Sequence, residues 1–203
     1  MVLGHNLDKN LRKIEGLRQR GELQKALKQL QDWARRYTDS PHYQYEAAML
    51  AFELKDYGVG LNSLKQLLRA LPDSREKVLH ACTERFAEQS ALPLCEFLVE
   101  NQLQDSDYNA ALASIATLDA DQLDVYERKI QLRLRSLSPN GEIKSDAAAA
   151  CAWTLIGIAQ ARQDGEAFAQ QASPLLEGRP KAAKPLIAIV QRALQDHKEP
   201  AWM

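Results

Sequence analysis

Four histidines and three cysteines are the side chains of this sequence best suited to hold a metal or act as a nucleophile. A helical zinc site needs two histidines four apart on one face, and a catalytic cysteine needs a base within hydrogen-bond reach. His5, His42, His80 and His197 are scattered instead, and Cys82, Cys95 and Cys151 are widely separated. His80 and Cys82 lie two positions apart, which on a helix turns them in different directions. No G-x-x-x-x-G-K-[ST] or G-x-G-x-x-G phosphate loop and no G-x-S-x-G elbow occurs. The expectation is a non-enzyme with no catalytic residues, no metal and no cofactor. Its thiols read as small buried hydrophobes of a reducing compartment, the cytoplasm.

Charged clusters carry the remaining chemistry. Asp119, Asp121 and Asp124 precede Tyr126 and Glu127. Carboxylates there complement a helix dipole and cap its first N–H groups, and the glycine turn of a calcium loop is absent. The densest basic run is Arg128, Lys129, Arg133 and Arg135. At helical spacing Arg128 and Arg135 share one face, and Lys129 and Arg133 share its neighbour. An RNA-binding helical repeat would carry such residues in every unit together with net positive charge. One run in a chain of net charge -1 reads as a solvated face, with a docking patch for an acidic partner left open. No nucleic-acid partner is expected.

Elements that could position these groups are helical throughout. Hydrophobic residues make up 45% of the 203 and charged residues 26%, ordinary globular usage. No stretch approaches the roughly 20 apolar residues of a spanning helix, and Met1 to Ile14 lacks the apolar core of a signal peptide. No membrane partner is expected. Leu7, Leu11, Ile14 and Leu17 fall at helical spacing, as do Leu23, Ala26, Leu27, Leu30 and Trp33, with Gly21 between the runs. Asp39, Ser40 and Pro41 stop the second helix and start a third through Tyr45, Ala48, Met49 and Phe52. After Asp56, Tyr57 and Gly58, Leu61 through Leu71 form a fourth. The pattern predicts further helices over 75–88, 91–103, 106–118, 121–136, 145–162, 165–177 and 181–196, with Pro174 expected to break the sixth of these. Pro139, Asn140 and Gly141 form a strong turn, a boundary between a helical array (1–138) and C-terminal helices (139–203) that cap it, within one continuous domain.

Displacing the first helix pair by 34 residues superposes Leu23 on Tyr57, Ala26 on Gly60, Leu30 on Leu64 and Trp33 on Leu67. The pattern resembles the tetratricopeptide repeat. Tyr57, Gly60, Leu64 and Pro72 hold that family's turn aromatic, small crossing residue, large apolar residue and closing proline, and Ala47, Ala48 and Ala51 fill its first helix. Gly21, Leu23, Ala26 and Leu30 match in the first unit, where Trp33 is larger than usual and Thr38 replaces the proline. Fainter echoes follow: Asp107, Tyr108, Ala111, Leu112 and Ile115 as a second helix, and Trp153, Ile156 and Gly157 followed by Ala169 as a further unit.

The resemblance implies an all-α, right-handed α-solenoid of antiparallel helix pairs with a less regular C-terminal part. It also implies a concave groove, lined by the first helices, that binds a peptide or amphipathic helix. The mapped groove positions are Leu11, Arg12, Glu15 and Arg18, then Tyr45, Met49 and Phe52, then Leu79, Thr83 and Phe86. The competing reading places Tyr45, Met49 and Phe52 in the core. One family variant grips a C-terminal carboxylate with a lysine and an asparagine, but the matching positions here carry Leu11, Glu15, Tyr45 and Met49. The function these residues imply is a non-enzymatic protein-interaction module: an adaptor, scaffold or chaperone. Its alternatives are an accessory or oligomerising domain of an enzyme or assembly, which would self-associate, and, more remotely, a helical enzyme with an unrecognised site.

Overall fold

The computed structural model describes residues 3–37 and 41–196, with side chains from Leu7 to Gln191. Thr38, Asp39, Ser40 and His197 lie outside the described residues, and so does the side chain of His5. The described residues form eleven α-helices, two single 3-10 turns and no strand. The helices are α1 (Leu3–Gln19), α2 (Leu23–Arg36), α3 (Pro41–Glu53), α4 (Tyr57–Ala70), α5 (Arg75–Gln89), α6 (Leu92–Gln104), α7 (Tyr108–Ala116), α8 (Ala120–Leu137), α9 (Asp146–Ala161), α10 (Gly165–Gly178) and α11 (Ala183–Asp196). The chain is all-α, and its helix limits from α5 onward lie within two residues of those the periodicity predicts. Pro174 does not break α10, which runs on to Gly178. The carbonyl that loses its N–H partner belongs to the exposed Gln170, on the solvent side of the helix.

The helices pack as two compact units, residues 1–85 and 86–203, divided within α5. In the first, each helix lies against its sequence neighbour, α1 on α2, α2 on α3 and α3 on α4. A regular apolar stripe makes α2 amphipathic, burying Ala26, Leu27, Leu30, Trp33 and Ala34. With helices on two sides, α3 buries a much wider arc: Tyr43, Ala47, Ala48, Leu50, Ala51 and Phe52. Rings of Trp33 and Tyr37 both stand 5.7 Å from Tyr43, whose hydroxyl accepts from Asn10 Nδ2 at 2.9 Å.

The second unit is organised around α9, buried at every position from Cys151 to Ala159. Its neighbours α6, α7, α8 and α10 surround it. The Pro139–Asn140–Gly141 turn lies inside this unit. Ile143 just beyond it shares one core with Leu112 of α7, Trp153 and Ile156 of α9 and Leu175 of α10. Gly178 is required there, because a Cβ would stand 2.3 Å from the Ile143 carbonyl oxygen.

One turn recurs four times, joining α1 to α2, α3 to α4, α6 to α7 and α9 to α10. A residue at positive φ (Gly21 73°, Lys55 58°, Ser106 59°, Gln163 57°) closes the first helix. Its N–H donates three residues back, and the next N–H donates five residues back: Glu22 to Leu17, Asp56 to Ala51, Asp107 to Gln102 and Asp164 to Ala159. The three aspartates then cap the second helix, accepting from Val59, Ala110 and Ala167 at 2.9 to 3.1 Å. Four residues past each cap stand Ala26, Gly60 and Ala111, small and buried, and then Phe168. Register from the turn therefore gives the fourth pair Phe168 at this position, not Ala169, which is exposed. Sixteen residues past Asp56 and Asp164, Pro72 and Pro180 each open a 3-10 turn into another helix.

Candidate protein-binding face

On α3, Tyr45, Met49 and Glu53 follow one another at four-residue spacing and form a half-buried stripe. Neighbouring helices of the first unit supply its charge. Glu53 Oε1 accepts from Arg18 Nη2 of α1 at 2.5 Å and lies 3.8 Å from Arg85 Nη2 of α5. Lys77 Nζ sits 4.8 Å from the centroid of the Tyr45 ring, close enough for a cation–π contact. Burial, reinforced by Glu46, Glu84 and Cys82 and opposed by Arg85, raises the Tyr45 hydroxyl above its ordinary pKa. The stripe thus alternates an aromatic, a flexible thioether and a carboxylate bracketed by two guanidiniums.

The structure divides the sequence-derived groove residues. Tyr45 and Met49 lie on this stripe and Arg18 reaches its Glu53, Leu11 packs partly into the core of the first unit, and Arg12 and Glu15 are exposed. Leu79 is half-buried, and Thr83 is exposed with its hydroxyl donating to the Leu79 carbonyl. Two expected residues are core instead. Phe52 is fully buried with its ring against Gly60, and Phe86 is 5% exposed and belongs to the second unit. Glu53, Lys77 and Arg85 were not among the expected residues. Continuing Tyr45 and Met49 by one more step of four would have reached Glu53 in place of Phe52.

In the second unit α8 lies across the first helices of both pairs. Lys129 Nζ meets Glu96 Oε2 of α6 at 2.5 Å, and Arg133 reaches Glu100 at 3.9 Å. Arg162, at the end of α9, bridges Asp124 and Glu127. Leu123, Tyr126 and Ile130 are buried beneath α8, and Gln122 Nε2 donates to the Ser90 carbonyl at 2.8 Å. Burial pushes the Tyr126 hydroxyl up, partly offset by its hydrogen bond to Thr154 of α9. Asp119 forms a reciprocal capping box with Gln122, the role expected of the acidic run.

No family model, curated protein or solved structure matches this chain. The geometry itself must carry the functional reading. Among the described residues no group of histidine, cysteine and carboxylate side chains could hold a metal, and no helix is long and apolar enough to cross a membrane. All three thiols are unpaired and buried, with burial pushing Cys82 and Cys95 up to about 12. His80 is exposed, while Cys82 faces the core. An open hollow by Gly21, Leu23 and Leu54 contains Glu22, held down to about 2 by hydrogen bonds from Lys25 and Arg20. With its charge already paired, that carboxyl is a poor general acid or base near neutrality.

Proposed function

We propose that this chain is a non-enzymatic protein-binding module, an adaptor, scaffold or chaperone. It takes a partner peptide or amphipathic helix across α1, α3 and α5 of its first unit. The observation that carries the reading is the Tyr45–Met49–Glu53 stripe, half-open and flanked by Arg18, Lys77 and Arg85. Tyr and Met offer large contact area at modest ordering cost, and the flanking cations select a partner bearing carboxylates. Residues 1–85 hold fifteen Lys and Arg against eleven Asp and Glu, a surplus that would steer such a partner.

A tetratricopeptide-like right-handed stack of helix pairs is our reading of the architecture. Its support is the turn shared by four pairs, together with the small residues Ala26, Gly60 and Ala111 at equal distance from it. The three buried unpaired thiols suit a reducing, cytoplasmic setting.

Affinity capture from the source organism tests the face, comparing the wild-type chain with Tyr45→Ala/Met49→Ala. Neither residue is fully buried, so the variant should keep its helical circular dichroism while losing the partner. Equal recovery by a folded variant would refute the assignment.

A further inference from the structure

We propose that Asn140 is a site of spontaneous covalent modification, at which the backbone of Gly141 converts the asparagine side-chain amide into a carboxylate. The Gly141 nitrogen attacks Cγ of Asn140 and closes a five-membered imide. Nδ2 leaves as ammonia, taking up the proton that the Gly141 nitrogen gives up. Water then adds to either imide carbonyl. One opening yields aspartate on the original backbone. The other yields isoaspartate, in which the main chain runs through Cγ and is one carbon longer. No electrons are exchanged, and water is the only co-reactant.

The sequence holds six asparagines, and their surroundings separate one from the rest. Asn6, Asn10, Asn62, Asn101 and Asn109 lie within α1, α4, α6 and α7. Helical ψ holds the following nitrogen away from Cγ, and its N–H is tied to the helix ladder or, at Ala110, to the Asp107 cap. Two of these side chains are engaged as well. Asn10 Nδ2 donates to the Tyr43 hydroxyl at 2.9 Å, and Asn101 Nδ2 donates to the Phe97 carbonyl at 2.7 Å. Each of the five precedes a residue whose Cβ crowds the attack.

Asn140 is the one of the six that stands between helices, in the link over 138–145. It is exposed, and so are Pro139, Gly141 and Glu142. Gly141 takes a φ of 77°, which glycine adopts without strain, and the space where a Cβ would stand is open. A single turn bond restrains the attacking nitrogen: Gly141 N–H donates to the Ser138 carbonyl at 3.0 Å. At an exposed turn water replaces that bond on both sides, so opening it is cheap. Ile143, only 2% exposed, pins the link to the core, and the core need not open for the turn to react. The product is therefore a folded chain that gains one negative charge beside Glu142 as it ages.

The test ages the full chain in warm buffer at pH 8 and follows it by peptide mapping with mass spectrometry. The Asn140 peptide should gain the mass by which an acid exceeds its amide, at least about tenfold faster than any helical asparagine, which reacts only after local opening. Both aspartate and isoaspartate should appear, and the reaction should slow at pH 6, where fewer attacking nitrogens lose their proton. Asn140→Gln would have to close a six-membered ring and should stay unmodified, with wild-type circular dichroism. Asn140→Asp marks where the aspartate product elutes on ion exchange, and the chain unfolded in urea is the reference. Modification of Asn140 confined to the unfolded chain would overturn the proposal, because the turn would then shield the nitrogen. So would equal rates at the helical asparagines, or aspartate without isoaspartate, which would mean direct hydrolysis with no imide.

Discussion

A Cβ added to Gly60 would stand 2.3 Å from Cε1 of Phe52. The ring is fully buried and occupies the space in which α3 and α4 approach each other. Gly60→Ala should therefore cost about 1–3 kcal/mol by overpacking, although alanine is the better helix former. Phe52→Leu removes the clashing ring edge, so the pair of substitutions should lose less than the sum of the two alone. Urea denaturation of the four proteins measures this. An unchanged midpoint for Gly60→Ala would mean that the ring swings aside freely.

The recurring turn makes an independent set of predictions. Asp56→Ala, Asp107→Ala and Asp164→Ala each remove a cap and should each cost about 0.5–2 kcal/mol, nearly restored by Asn. Replacing Lys55, Ser106 or Gln163 with glycine relieves a positive φ and should gain up to about 1 kcal/mol. Thermal unfolding checks both directions. A neutral result for all three aspartates would remove the turn as a shared stabilising element.

Much of this architecture could be read from the residues, and for an identifiable reason. Gly21, the Asp–Tyr pairs at 56–57 and 107–108, and the small residues at 26, 60 and 111 act locally, through φ, capping and helix approach. The residues leave Phe52 open between groove and core, because periodicity marks a residue as apolar but not which neighbours close over it, and the structure settles it as core. Wedged between α2 and α4, α3 buries too wide an arc for one stripe to define its open side. Nor could sequence reveal that α8 lies across α6 and α9. Ion pairs between Lys129 and Glu96 or Arg162 and Asp124 join residues more than thirty positions apart, and surface charge patterns are compatible with many partners.

The thiols give a prediction with a definite sign. Burial raises the Cys82 and Cys95 pKa to about 12 from an ordinary 9.0, so the folded chain keeps protons that the unfolded chain releases. Their contribution to stability is complete below about pH 9 and falls as pH rises towards 12. At pH 8 both thiols should therefore stay protonated in the folded chain. A thiol-selective reagent at pH 8 should consequently label neither until denaturant is added, when all three cysteines react. Rapid labelling of Cys82 or Cys95 in the folded chain would contradict their placement.

Glu53 ties three helices of the first unit together through Arg18 and Arg85. All three side chains are partly exposed, at 24 to 33%, so solvent screens the attraction and limits what it contributes. Glu53→Gln should lower stability by only about 0.5–1 kcal/mol, and the difference should shrink at 1 M salt, where the Debye length is about 3 Å. Binding should respond more strongly than folding. Without the carboxylate, Arg18 loses its ion-pair partner and becomes available to a ligand carboxylate, so an acidic partner on the Tyr45–Met49 stripe should bind more tightly and with a steeper salt dependence. Denaturation and partner titration at two salt concentrations separate the two effects. Weaker binding at unchanged stability would mean that Glu53 itself contacts the partner, and the stripe would then favour a cationic ligand.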